Sequence, residues 1–128
     1  LNFFKTHPHF ILYFFLLLTI YEYMMTNENW IYVCNTNEIE LEDLKRFDYE
    51  NNSVCIYRLE DGFFATDGIC THEQVHLEDG LVMHGEIECP MHQGIFDIKT
   101  GKAVSPPACE DLKTYAVKVE KDKIYIKL

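Results

Sequence analysis

The sequence predicts an all-β fold, and three observations predict it. Short runs rich in β-branched and aromatic residues recur along the chain, at Trp30-Ile31-Tyr32-Val33-Cys34, Ser53 to Leu59 and Tyr115 to Val119. A turn dipeptide, Asp61-Gly62, closes the second of them. Four charged residues, Glu120-Lys121-Asp122-Lys123, then part the last two runs as a hairpin would.

Taken in order, Trp30 to Cys34 is the first strand. Residues 36–50 are acidic and mixed, and Glu40 to Phe47 reads as a helical turn. Ser53 to Leu59 is the second strand, and Phe63-Phe64-Ala65 answers it across the turn. Tyr115 to Val119 and Ile124 to Ile126 form the closing hairpin. Gly85 and Gly94 suit tight backbone in loops, or are ordinary turn glycines. Ser105-Pro106-Pro107-Ala108 is a stiff loop or a plain surface turn. His76 and His84 read as solvated turn residues. No internal repeat or low-complexity linker interrupts the chain.

The first two dozen residues differ from the rest. Phe10 to Tyr21 is apolar apart from Thr19, yet a membrane span needs about 20 such residues. Lys5 is the one basic residue there, and Tyr21-Glu22-Tyr23 is no cleavage site for a secretory signal. Met24 and Met25 stand directly before Thr26. The expected organisation is therefore an N-terminal extension over 1–24, either an over-extended gene start or a short hydrophobic anchor, followed by one domain over 25–128.

Charge excludes one class of function. The net charge is −10, whereas nucleic-acid binding calls for a basic footprint. The charge is also uneven. From Leu59 to Ile98 there is no Lys or Arg, but nine Asp or Glu; seven Lys follow, from Lys99 to Lys127. That stretch is either a solvated acidic face or a rim that steers basic partners inward. Five cysteines is an odd number. Unprotected thiols fit a reducing, cytoplasmic setting, with Cys34, Cys55 and Cys109 as small core residues or free thiols.

The chemistry concentrates in Cys70-Thr71-His72 and Cys89-Pro90-Met91-His92. Each pair offers one thiolate and one imidazole. Together they suit an iron–sulfur centre or zinc. Zinc fingers usually group Cys with Cys and His with His, whereas here the types are interleaved. Buried cysteines with solvated histidines and no metal is a further reading. A nucleophilic Cys–His pair lacks a third, orienting group, and Pro90 suggests a turn rather than an activating helix N-terminus.

These residues, with Gln93-Gly94-Ile95-Phe96-Asp97 and Thr100-Gly101-Lys102 behind them, resemble the Rieske-type [2Fe–2S] ferredoxin family. The resemblance runs from about Trp30 to Leu128. It implies the Rieske fold: antiparallel sheets with two cluster-binding loops, and a third, proline-containing loop over Ser105 to Ala108. It implies one [2Fe–2S] cluster, with Cys70 and Cys89 on a buried iron and His72 and His92 on an outer one.

Departures from the respiratory branch of that family point to a function. Where that branch has a disulfide between the two loops, this chain has Val75 and Met91; where it has Ser and Tyr donors, this chain has Gly94 and Phe96. Such hydroxyls stabilise the reduced state, so without them a potential near the low end, about −150 mV, is implied. The acidic surroundings push in the same direction.

The chain is therefore expected to be no enzyme itself but a low-potential electron carrier, similar to the soluble ferredoxin component of ring-hydroxylating dioxygenase systems. It would be a monomer that takes single electrons from an NAD(P)H-dependent flavin reductase and gives them to a terminal oxygenase, with no membrane involved. Met91, Gln93 and Pro107 would form an exposed rim around the exit path. Two alternatives stand beside it: the small Rieske subunit of a nitrite reductase or other larger redox enzyme, and a zinc-stabilised binding module.

Overall fold

The structure is a computed structural model and describes residues 8–27, 29–108 and 110–128. Contacts divide the chain into Leu1–Trp30 and Ile31–Leu128. The first unit contains helix α1, Pro8–Asn27. Proline suits its first position, where the backbone N–H would lack a partner anyway. No helix breaker follows, so the helix outruns the apolar stretch from Phe10 to Tyr21 and reaches 20 residues. It is long and apolar enough to cross a membrane, and its side chains from Leu12 to Met25 are largely exposed.

The second unit is all-β, as expected. Among the described residues, ten strands form two sheets. The larger contains β1 (Trp30–Asn35), β2 (Asp43–Tyr49), β3 (Asn52–Leu59), β4 (Gly62–Asp67), β9 (Thr114–Glu120) and β10 (Lys123–Lys127), in the order β1-β10-β9-β4-β3-β2. The smaller contains β5 (Leu81–Met83), β6 (Glu86–Glu88), β7 (Ile95–Asp97) and β8 (Ala103–Ser105), in chain order. The pairs β2–β3, β3–β4, β4–β9 and β9–β10, and all pairs of the small sheet, are antiparallel.

Strand β3 explains the packing. Val54, Cys55, Ile56 and Tyr57 are all buried, because both faces of the strand are covered. Successive side chains point to opposite faces. Val54 and Ile56 join Cys34, Ala65, Ile124 and Ile126 in one core. Cys55, Tyr57 and Leu59 join Leu77, Ile87, Phe96 and Ile98 in the other, beneath the small sheet. Each fully buried side chain of this size contributes about 1.5–3 kcal/mol. Cys34 and Cys55 are thus core residues, and Cys109 lies outside the described residues.

The helical turn expected over Glu40 to Phe47 is a strand instead, with only Thr36–Glu38 in a short 3-10 turn. Strand β2 pairs with β3 from Asp43↔Arg58 to Tyr49↔Asn52. Its two faces are used separately: Leu44 packs on one core and Phe47 on the other. Pairing along the flank of β3 outweighs the weak local preference of a charged segment.

Both hairpins that matter use left-handed turns. Lys121 and Asp122 have φ of 48° and 64°, closing β9–β10 as expected. His84 and Gly85 have φ of 55° and 75°, closing β5–β6. Two positive φ values give the twist that two-residue hairpins need. His84 is the exposed turn residue anticipated. His76 is not: it is half-buried, bridges Ile69, and its Nδ1 is buried without a hydrogen-bond partner.

Candidate metal centre

Two bends of the same construction position the four predicted ligands. In the first, between β4 and β5, the Cys70 N–H donates to the Val75 carbonyl at 2.9 Å. In the second, between β6 and β7, the Cys89 N–H donates to the Gly94 carbonyl at 2.7 Å. Each bond pins a cysteine at the base of a bend and leaves the histidine at its tip. Cys70 and Cys89 are accordingly 3% and 1% exposed, while His72 and His92 are exposed. Left-handed backbone at His92 and Gln93, φ 63° and 59°, turns the second tip outward. C-x-H and C-x-x-H spacings are what such bends require: a donor at the base, another at the crest.

The bends meet. Cys70 stands close enough to Cys89 to perturb its thiol. Burial first, then that neighbour, pushes the Cys89 thiol up to about 11, while the Met91 N–H pulls the other way. Neither cysteine is in a disulfide. The His72 and His92 rings stand edge to face with centroids 5.7 Å apart. The structure thus brings the four sequence-predicted residues together as two adjacent pairs, Cys70 with Cys89 and His72 with His92.

A third segment closes over both bends. The Thr71 hydroxyl donates to the Glu110 carbonyl at 2.7 Å. Gly94 abuts Ala108, at the end of the proline loop. Met91 and Gln93 are exposed at the crest, as the rim expectation has it; Pro107 is half-buried, and Pro106 is the exposed proline.

The donor set fits two metal atoms better than one. A tetrahedral zinc site needs all four donor atoms within roughly 4 Å of one another, given bonds of about 2.0–2.3 Å. Among the described residues, the donors that gather within 4.8 Å are those of His72, Glu73 and His92, without either cysteine. Sulfur pair and nitrogen pair are thus separate, as a diiron centre with unlike ends requires. Burial keeps the Cys89 thiol protonated, and metal binding would displace that proton.

Glu73 was not singled out in the sequence, where it counted only as one acid among nine. The structure sets its Oε1 3.7 Å from Nε2 of His72. Adjacency to a ligand residue at a bend was the one available signal.

Known proteins bear on this geometry. The Rieske [2Fe-2S] domain family matches residues 29–116. The "2,4-dinitrotoluene dioxygenase system, ferredoxin component" of Burkholderia sp. (strain RASC) is 40% identical over 102 residues, which are 80% of this chain and 98% of that protein. The naphthalene 1,2-dioxygenase ferredoxin component of Pseudomonas aeruginosa is 39% identical over 101 residues, 79% of this chain and 97% of its own. Among solved structures, the Sphingomonas yanoikuyae B1 ferredoxin superposes with a TM-score of 0.74 at 31% identity, covering 78% of this chain and 99% of that one. A chain from the complex of reduced oxygenase and oxidized ferredoxin in carbazole 1,9a-dioxygenase gives a TM-score of 0.75 at 30% identity, covering 79% and 94%. This chain belongs to the Rieske [2Fe-2S] family, whose cofactor is one [2Fe–2S] cluster.

Proposed function

We propose that this Rieske protein is the single-electron carrier of a multicomponent oxygenase system, taking electrons from an NAD(P)H-dependent flavin reductase and delivering them to a terminal oxygenase. One observation carries the reading: paired bends hold two thiols buried at their base and two imidazoles at the surface. The names of the relatives, ferredoxin components of dioxygenase systems, support it.

Cys70 and Cys89 would hold one iron, and His72 and His92 the other. When bound, a cluster of this kind supplies reversible one-electron chemistry at a potential set by its ligands and their hydrogen bonds. The chain's own residues do the remainder. Leu77, Ile87 and Phe96 keep water from the sulfur side. His72 and His92 present their edges at the surface, which shortens the path to a docked partner. Met91, 44% exposed, offers an apolar contact beside them. The Lys- and Arg-free acidic stretch from Leu59 to Ile98 draws a basic partner surface toward that edge.

The same reading places the working domain at 25–128, with 1–24 an extension, and the protein in the cytoplasm. The test is iron and acid-labile sulfide analysis of purified protein, then electron paramagnetic resonance after dithionite reduction, then turnover with added reductase and oxygenase. A coloured, paramagnetic protein that restores turnover is expected. A colourless protein that holds zinc would sink the proposal.

A further inference from the structure

We propose that Glu73 is a positioning residue for electron transfer: its carboxylate, at the crest of the first bend, fixes the outer imidazole and holds the midpoint potential down. The proposal rests on the Rieske reading above.

Geometry supplies the argument. Glu73 Oε1 lies 3.7 Å from His72 Nε2, inside ion-pair range though longer than a hydrogen bond. Its donor atom also falls within 4.8 Å of the His92 donor, so one carboxylate faces both surface imidazoles. The residue is not a loose surface acid. Its carbonyl accepts the Val75 N–H at 2.7 Å, inside the same bend that the Cys70–Val75 bond closes. With Nε2 facing the carboxylate, Nδ1 is the nitrogen left for iron, and carboxylate partners of this kind orient metal-bound imidazoles.

Among the described ion pairs, Glu73 has His72 as its partner, with no Lys or Arg on it. A fixed negative charge beside the end that accepts an electron disfavours the reduced form. Glu73 and His72 side chains are 42% and 29% exposed, so solvent screens the effect. The expected size is about a threefold change in the reduced-to-oxidised ratio at fixed solution potential, or ~28 mV at 59 mV per tenfold.

The experiment is redox titration of the holoprotein, full chain, at low and high salt, for wild type, Glu73→Gln, Glu73→Ala, Glu73→Asp and a distant control, Glu50→Gln in the β2–β3 turn. Glu73→Gln and Glu73→Ala should raise the midpoint about threefold in ratio at low salt, and less at high salt. Glu73→Asp should stay near wild type, and Glu50→Gln should not move. An unmoved Glu73→Gln overturns the proposal, and so does a Glu50→Gln shift of equal size. Loss of iron from both Glu73→Gln and Glu73→Ala overturns it in favour of a structural role. The visible spectrum of wild type is recorded first. A colourless wild type removes the Rieske reading itself, whereas a coloured wild type with unmoved variants removes only the role of Glu73.

Discussion

Gly94 lies so close to Ala108 that a Cβ on the glycine would meet the alanine Cβ and N at 3.1 Å. A side chain at position 94 would therefore force the third loop to give by a few tenths of an ångström. Gly94→Ala should push that loop away and destabilise the protein by about 1–3 kcal/mol, the usual range for overpacking. Urea unfolding of the iron-loaded protein measures it. A variant as stable as wild type would mean that the loop yields freely. The Gly94→Ser change that the respiratory branch suggests carries the same strain, so it is a poor isolated probe of potential.

Phe96→Tyr is the cleaner probe. Phe96 is fully buried in the core that also holds Cys89. A hydroxyl added there should raise the midpoint potential if it donates toward the sulfur side of the centre. Without a partner it would instead destabilise by about 1–3 kcal/mol. A folded, iron-loaded variant with an unchanged or lower potential would refute the hydrogen-bond account.

Alkali should weaken the fold through a thiol that takes no part in the centre. Burial raises Cys55 from 9.0 to about 12, and pushes Tyr57 well above its ordinary value in the same direction. The folded state therefore keeps protons that the unfolded chain releases. Their stabilisation is complete below pH 9 and drains away as pH rises toward 12. Cys55→Ala should show a shallower fall of the urea midpoint between pH 9 and 11 than wild type. Parallel curves would assign the alkaline loss elsewhere.

Removal of iron should loosen the structure unevenly. Metal-binding energy at such a site is folding energy, and it acts first on the two bends. Amide hydrogen exchange after anaerobic chelation should speed up around 70–75 and 89–94 while β3, β9 and β10 keep their protection. Uniform loss of protection would show that the two cores unfold as one.

A chain shortened to Met25–Leu128 should load iron and sulfide as the full chain does. Both cores and all four proposed ligand residues lie within it. A shortened chain unable to retain the cluster would give residues 1–24 a structural role that the domain reading denies them.

The sequence disclosed most of the long strands and the four candidate ligands that the bends bring together, for different reasons. Val54 to Tyr57, at the heart of β3, is a continuous apolar run because both its faces are buried, and such a run is plain without knowing its neighbours. Cys and His at short spacing carry their chemistry locally. The small sheet stayed hidden because its strands are three residues each, too short for alternation to register. Strand β2 was misread because Leu44 and Phe47, three residues apart, show a helix-like spacing when each in fact serves a different core, and pairing with β3 is a long-range fact. Arg46 itself is held by Asp48 and by the distant Glu78, at 2.9 and 2.8 Å, which no local pattern announces. His76 was judged solvated for the same reason: its bridge to Ile69 exists only once the first bend has formed.

Strands β4 and β9 are neighbours, with Ala65 opposite Tyr115, and the Asp67 N–H donates to the Lys113 carbonyl at 2.8 Å. Everything from Gly68 to Leu112 therefore leaves and re-enters the large sheet through one doorway. Such a plan makes the redox module a cassette. Its crest can lengthen, shorten or change shape to suit a new docking protein, and the supporting sheet need not register the exchange.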